Sequence, residues 1–136
     1  MLATKQKNLQ MKDIEERKDL FKLLEAFYVK AFADELIGFY FTDVIKLDLE
    51  MHLPVITDFW ESVLLNTKQY RGDVMKLHQH INHLSPFKAE HFDRWVQLFC
   101  ATVNEFYEGE VAERAKQRAL SIATIMKIKL IYGGIN

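Results

Sequence analysis

Very little in this 136-residue chain can interrupt a helix or cross-link one. A single cysteine, Cys100, leaves no disulfide framework and no cysteine-based zinc site, and it suits a reducing compartment. Two prolines and five glycines, with Gly133 and Gly134 at the very end, leave long stretches free to be helical. No segment has 18 consecutive apolar residues, which excludes a membrane-spanning helix. Met1 to Gln10 is polar, carries two lysines and lacks the apolar run of a secretory signal, so a cytoplasmic protein without a membrane partner is expected. A charge surplus is missing too. The 18 basic residues are interspersed among 19 acidic ones, giving a formal charge of −1, whereas nucleic-acid binders gather a basic face; no nucleic-acid partner is expected. Nor is there a glycine-rich phosphate loop, a nucleophile elbow or a paired-carboxylate helix motif, so ordinary hydrolase chemistry has no machinery here.

What is present is an ordinary globular balance, 49% apolar and 27% charged, which predicts one all-α domain over residues 1–136 with a weakly ordered lead at 1–12. Leu20, Leu24, Phe27, Tyr28, Ala31 and Phe32 recur at three- and four-residue steps and share one helical stripe. Asp19 is placed to cap that helix, with a short helix over Ile14 to Lys18 before it. The phenol of Tyr28 falls inside the buried stripe and needs a hydrogen-bond partner, either a structural one or a polar ligand. Asp34-Glu35-Leu36-Ile37-Gly38 reads as a compact corner, two acids opening it and a glycine closing it. Of the three aromatics that follow, Phe39, Tyr40 and Phe41, at least one must point inward.

The next helix places His52, Ile56, Phe59 or Trp60, and Val63 on one face, so a histidine begins an otherwise apolar wall. Pro54 bends this helix near Glu50 if it starts at Asp48, and costs nothing if it starts near Leu53. At such an end His52 can serve as a structural residue or as a gate. Beyond it lies Tyr70-Arg71-Gly72-Asp73-Val74-Met75-Lys76-Leu77-His78, a poorly patterned stretch read as a loop that tightens into one helical turn. His78 at its end is readable as a haem-iron ligand or as an ordinary, partly exposed histidine. His80, His83 and His91 invite a zinc reading, but structural zinc wants cysteines or two ligand pairs at short regular spacing. Ser85-Pro86 resembles a helix start, followed by the stripe Phe92, Trp95, Phe99, Val103 and Phe106, with Gly109 ending that helix. Trp95 adds an indole donor that needs an acceptor if buried. The last helix runs from about Glu110 to Tyr132, with Val111, Ala115, Ala119, Ile122 and Met126 inward.

Taken in order, Phe27-Tyr28, Asp34-Glu35-Leu36-Ile37-Gly38, His52-Leu53-Pro54 with Asp58-Phe59-Trp60, Tyr70-x-Gly72 with Met75 and His78, His91-Phe92-x-Arg94-Trp95, and Leu98-Phe99 closely resemble the group III truncated haemoglobins. The resemblance spans roughly Ile14 to Met126 and departs from the family pattern at Val74 and Phe39, where proline is frequent. It implies a shortened globin, two helix pairs sandwiching haem b, with the segment around His78 reduced to a loop and a single turn. It also implies roles. His78 is then the proximal iron ligand, while Tyr28, His52, Ile56 and Trp95 surround the distal side. Phe41 packs on the porphyrin, and Met75, Tyr70, Phe99 and Met126 belong to the cofactor's surroundings. A phenol and an indole can both donate to bound oxygen, which carries partial negative charge. The implied partners are oxygen or another diatomic ligand and a reductase that leaves no mark in this chain, the protein itself being a monomer or weak dimer. Two classes of function follow: a haem protein that binds such ligands, with redox chemistry on oxygen, nitric oxide or peroxide; or a helical sensor or interaction domain that has lost haem or uses it only for signalling.

Overall fold

The structure, a computed structural model, describes residues 11–67, 70 and 72–132. Among them are five α-helices: α1 (Arg17–Ala33), α2 (Leu49–Leu64), α3 (Val74–Leu84), α4 (Ala89–Phe106) and α5 (Glu110–Lys127). Two five-residue π-helical turns, Tyr40–Val44 and Ile128–Tyr132, complete them. Helix α1 packs on α2 and α4 packs on α5, and α1 also crosses α4, so two pairs lie over one another. No helix among the described residues is long and apolar enough to cross a membrane.

The expected stripe of α1 is buried at Leu20, Leu24, Phe27, Tyr28 and Ala31, with Leu23 added. Its start differs from expectation. Residues before Arg17 are not helical, and Asp19 lies inside the first turn, where its carboxylate reaches back to the amides of Glu15 (2.9 Å) and Glu16 (3.2 Å) and to Lys12 Nζ (2.8 Å). The extended lead is instead strapped over the start of α5. Asp13 accepts from the amides of Val111 and Ala112, both at 2.8 Å, and the Lys12 carbonyl accepts from Glu108. Of the weakly ordered lead expected at 1–12, Lys12 is held by its carbonyl and its ammonium, and residues 1–10 lie outside the described residues.

Helix α2 takes the earlier of its two possible starts, with Asp48 as cap accepting from Met51. Pro54 is thus its sixth residue and cannot donate to the Glu50 carbonyl. The largest departure is α3. The loop and single turn expected before His78 are a helix of 11 residues, nucleated by Asp73, whose side chain accepts from Lys76 at 2.9 Å. Only Ile81 is fully buried in it, which is why periodicity revealed so little. Ser85 ends this helix rather than starting the next, its amide donating to Ile81. Gly109 likewise opens α5 instead of ending α4; its φ of +145° suits glycine, and a Cβ there would meet the Asp13 carboxylate at 2.4 Å. Gly38 serves approach rather than flexibility, since a Cβ would come within 2.5 Å of the Phe32 carbonyl oxygen. The corner after α1 is correspondingly tight, with Tyr40 buried and Phe39 partly exposed against it.

Candidate functional site

Between the helix pairs lies a cavity of about 140 Å³, walled mainly by apolar side chains from all five helices and the turn around Tyr40. At about 24 cal/mol per Å³, a dry hollow of that size in a core would cost roughly 3 kcal/mol if nothing filled it. The hollow therefore has room for a guest. Four ring-bearing polar residues interrupt the apolar wall apart from the tryptophans: Tyr28, Tyr40, His78 and His91. No lysine or arginine lines it among the described residues.

His78 stands in the second turn of α3 with Nδ1 2.9 Å from the Val74 carbonyl oxygen. A carbonyl only accepts, so Nδ1 carries the proton and Nε2 keeps its lone pair. Burial lowers the imidazole's affinity for a second proton, only partly offset by that carbonyl. The result is a neutral histidine with its distal nitrogen free to coordinate and its orientation fixed by the backbone, which is how metal-ligating histidines are commonly held. The ring of Phe87 lies 6.2 Å away. His80 and His83, on the same helix, are exposed and do not line the cavity.

Tyr28, from the middle of α1, lines the cavity, and its hydroxyl is 3.2 Å from His52 Nε2. Burial pushes its phenol far above the usual range, so it remains a protonated donor. His52 is made harder to protonate by burial and then by the charge of His78, which puts the two imidazoles within electrostatic reach of one another. Trp95 is edge-on to Phe27 at 6.2 Å and stacked on Phe99 at 5.7 Å. Its indole N–H has no hydrogen-bond partner among the described residues.

Among the residues singled out from sequence, Tyr28, Phe41, Ile56, His78, Trp95, Phe99 and Met126 line the cavity. His52 stands behind Tyr28 at its margin. Met75 packs in the neighbouring cluster around Phe92, Ala123 and Met126, and Tyr70 sits edge-on to Phe59 at 5.4 Å; neither belongs to the wall. Sequence reasoning gave no cavity role to Tyr40, Phe87 or His91, all three of which line it. For His91 the available signal was its place one turn before Trp95 on the stripe that carries Phe92 and Phe99.

The donor set fits a flat, iron-bearing guest: one backbone-oriented imidazole with a free lone pair, aromatic and aliphatic walls, and a phenol and an indole to supply hydrogen bonds. No protein-family model matches the chain. Over 117 residues it is 35% identical to the group 3 truncated hemoglobin ctb of Campylobacter jejuni, covering 83% of this chain and 90% of that one. The crystal structure of a group III truncated hemoglobin from Campylobacter jejuni superposes with a TM-score of 0.79 and 32% identity, covering 92% of this chain and all of the other.

Proposed function

The chain belongs to the group III truncated haemoglobins, a membership that implies haem, and we propose that it holds haem b on His78 and reversibly binds oxygen or a related diatomic ligand. The observation that carries this reading is the His78 geometry: Nδ1–H committed to the Val74 carbonyl, Nε2 free, at the wall of a cavity that Tyr28 and Trp95 also line. Haem would supply the iron at which the ligand binds and any electron exchanged with it. The chain's own residues do the rest. Val74 fixes the His78 tautomer, the apolar wall excludes water, and Phe41, Ile56 and Met126 shape the slot. Tyr28 and the Trp95 indole offer donors to a ligand carrying partial negative charge. The same donors suit turnover of oxygen, nitric oxide or peroxide when a reductase supplies electrons, and a protein so built acts in the cytoplasm as a monomer or weak dimer.

The test begins with purified protein, which should show the intense violet absorbance band of haem, shifted by carbon monoxide. His78→Gly should lose haem, or hold it only with added imidazole, because the axial nitrogen anchors the group. His80→Ala and His83→Ala should leave the spectrum alone. Loss of the band in either of those variants, with His78→Gly unaffected, would reject His78 as the ligand. A band absent altogether would favour a haem-free sensor or interaction domain.

A further inference from the structure

We propose that His91 is the donor that grips the carboxylate edge of the haem, through an Nε2–H directed by the backbone. This rests on the haem-binding reading above. His91 occupies the first turn of α4, is only 8% exposed, and lines the cavity. Its Nδ1 lies 2.9 Å from the backbone amide of Lys88, which can only donate, so Nδ1 is the acceptor. The Tyr40 hydroxyl gives its proton to the Pro86 carbonyl oxygen at 3.0 Å and packs 3.3 Å from the same nitrogen. A neutral imidazole with Nδ1 accepting must carry its proton on Nε2, and burial keeps the imidazole neutral.

That N–H has no partner among the described residues. Among the described residues no side-chain nitrogen or oxygen sealed in the core is left unpaired, so Nε2 keeps some accessible surface, and His91 is a residue of the cavity wall. Haem b ends in two propionate carboxylates on one edge. The described wall has no lysine or arginine to meet them; Tyr40 donates to Pro86 and His78 to Val74, while the Tyr28 hydroxyl pairs with His52 and is assigned above to the diatomic ligand. The Nε2–H of His91 is given to none of these, and its position in the first turn of α4 adds the favourable end of the helix dipole for an anion.

Two substitutions separate the ring's two nitrogens. His91→Asn keeps an acceptor near the Nδ1 position for the Lys88 amide but has no group at Nε2. His91→Gln places its amide nitrogen near Nε2 and gives up the acceptor. Each is loaded with haem b and, separately, with haem dimethyl ester, whose carboxylates are masked, and the rate of haem loss to a scavenging apoglobin is read. A lost charge-assisted bond should speed haem b loss from His91→Asn by about tenfold to a hundredfold. Loss of the dimethyl ester should stay within about twofold of the unchanged protein, and His91→Gln should release haem b much more slowly than His91→Asn. Unchanged haem b loss in His91→Asn would overturn the proposal, as would equal acceleration for both haems, which means general damage to the pocket. Failure of the unchanged protein to take up haem at all would instead overturn the function proposed above.

Discussion

Tyr28→Phe removes one hydroxyl from the cavity wall, and the structure sets how much that hydroxyl can be worth. A donor to a partly charged oxygen contributes about 1.5–3 kcal/mol, but Tyr28 has a single proton and already has a partner, His52 Nε2 at 3.2 Å. If the phenol donates to His52 at rest, turning toward bound oxygen gives up a neutral bond of about 1 kcal/mol, leaving a net of about 0.5–2 kcal/mol. Tyr28→Phe should then speed oxygen release only about two- to thirtyfold. The Trp95 indole has no such competitor among the described residues, so Trp95→Phe should show the full effect, about ten- to 150-fold. Carbon monoxide, less polar when bound, should be released from both variants at nearly the original rate. His52→Ala reads the direction of the resting bond. If Tyr28 donates to His52, removing the imidazole frees the phenol and slows oxygen release; if His52 Nε2–H donates to the phenol, its loss weakens that donor and speeds release. A gate, by contrast, would change association of both gases and leave dissociation alone. Stopped-flow ligand replacement and flash photolysis supply these rates. Equal changes for oxygen and carbon monoxide, or none, would refute the donor role of Tyr28 and Trp95.

Three further outcomes follow from the fold. Haem-free protein should keep much of its helix yet melt earlier and less cooperatively in circular dichroism, since a guest at about a thousandfold over its Kd adds roughly 4 kcal/mol to the folded state; identical melting with and without haem would argue against a guest in this cavity. Asp34 is held below the ordinary carboxylate value of 3.8 by Arg94, against the cost of burial and helped by the amides of Ile37 and Leu36. Because its pKa is depressed in the folded state, its stabilisation is complete above about 3.8 and is lost as pH falls through the folded value. Urea titrations should show this acid limb diminished in Asp34→Asn. Gly38→Ala would drive a methyl group to 2.5 Å from a backbone carbonyl oxygen that cannot move aside cheaply, and equilibrium unfolding should register a loss of about 1–3 kcal/mol.

The helices that bury a continuous stripe were legible from residue spacing alone. Leu20 to Ala31 and Phe92 to Val103 are packed faces, and a packed face writes its period into the sequence. Helix α3 was not legible, because it buries only Ile81 and its other apolar residues are half-covered or exposed. Its start depends on one hydrogen bond from Lys76 to Asp73 rather than on a pattern. The junctions failed for a related reason. Ser85-Pro86 and Gly109 carry the right residue types for an end or a start, and which one each becomes is decided by distant partners: Tyr40 on the Pro86 carbonyl, Asp13 on the first amides of α5.

The site shows the same division between residue type and partner, now with chemical consequences. Three histidines stand in or beside the cavity, and nothing in their identity distinguishes them. The backbone does. A carbonyl opposite Nδ1 of His78 forces the proton onto that nitrogen and leaves Nε2 a lone pair, which is what a metal needs. An amide opposite Nδ1 of His91 forces the reverse, leaving Nε2 an N–H, which a metal cannot use and an anion can. His52 meets the phenol of Tyr28 through Nε2, so its tautomer is settled jointly with that hydroxyl rather than by the main chain. Exchanging the backbone partners of His78 and His91 would therefore exchange what each can bind without altering a side chain. That is why motif order could nominate His78 as the ligand, whereas the opportunity at His91 became visible only once its Lys88 amide was in place.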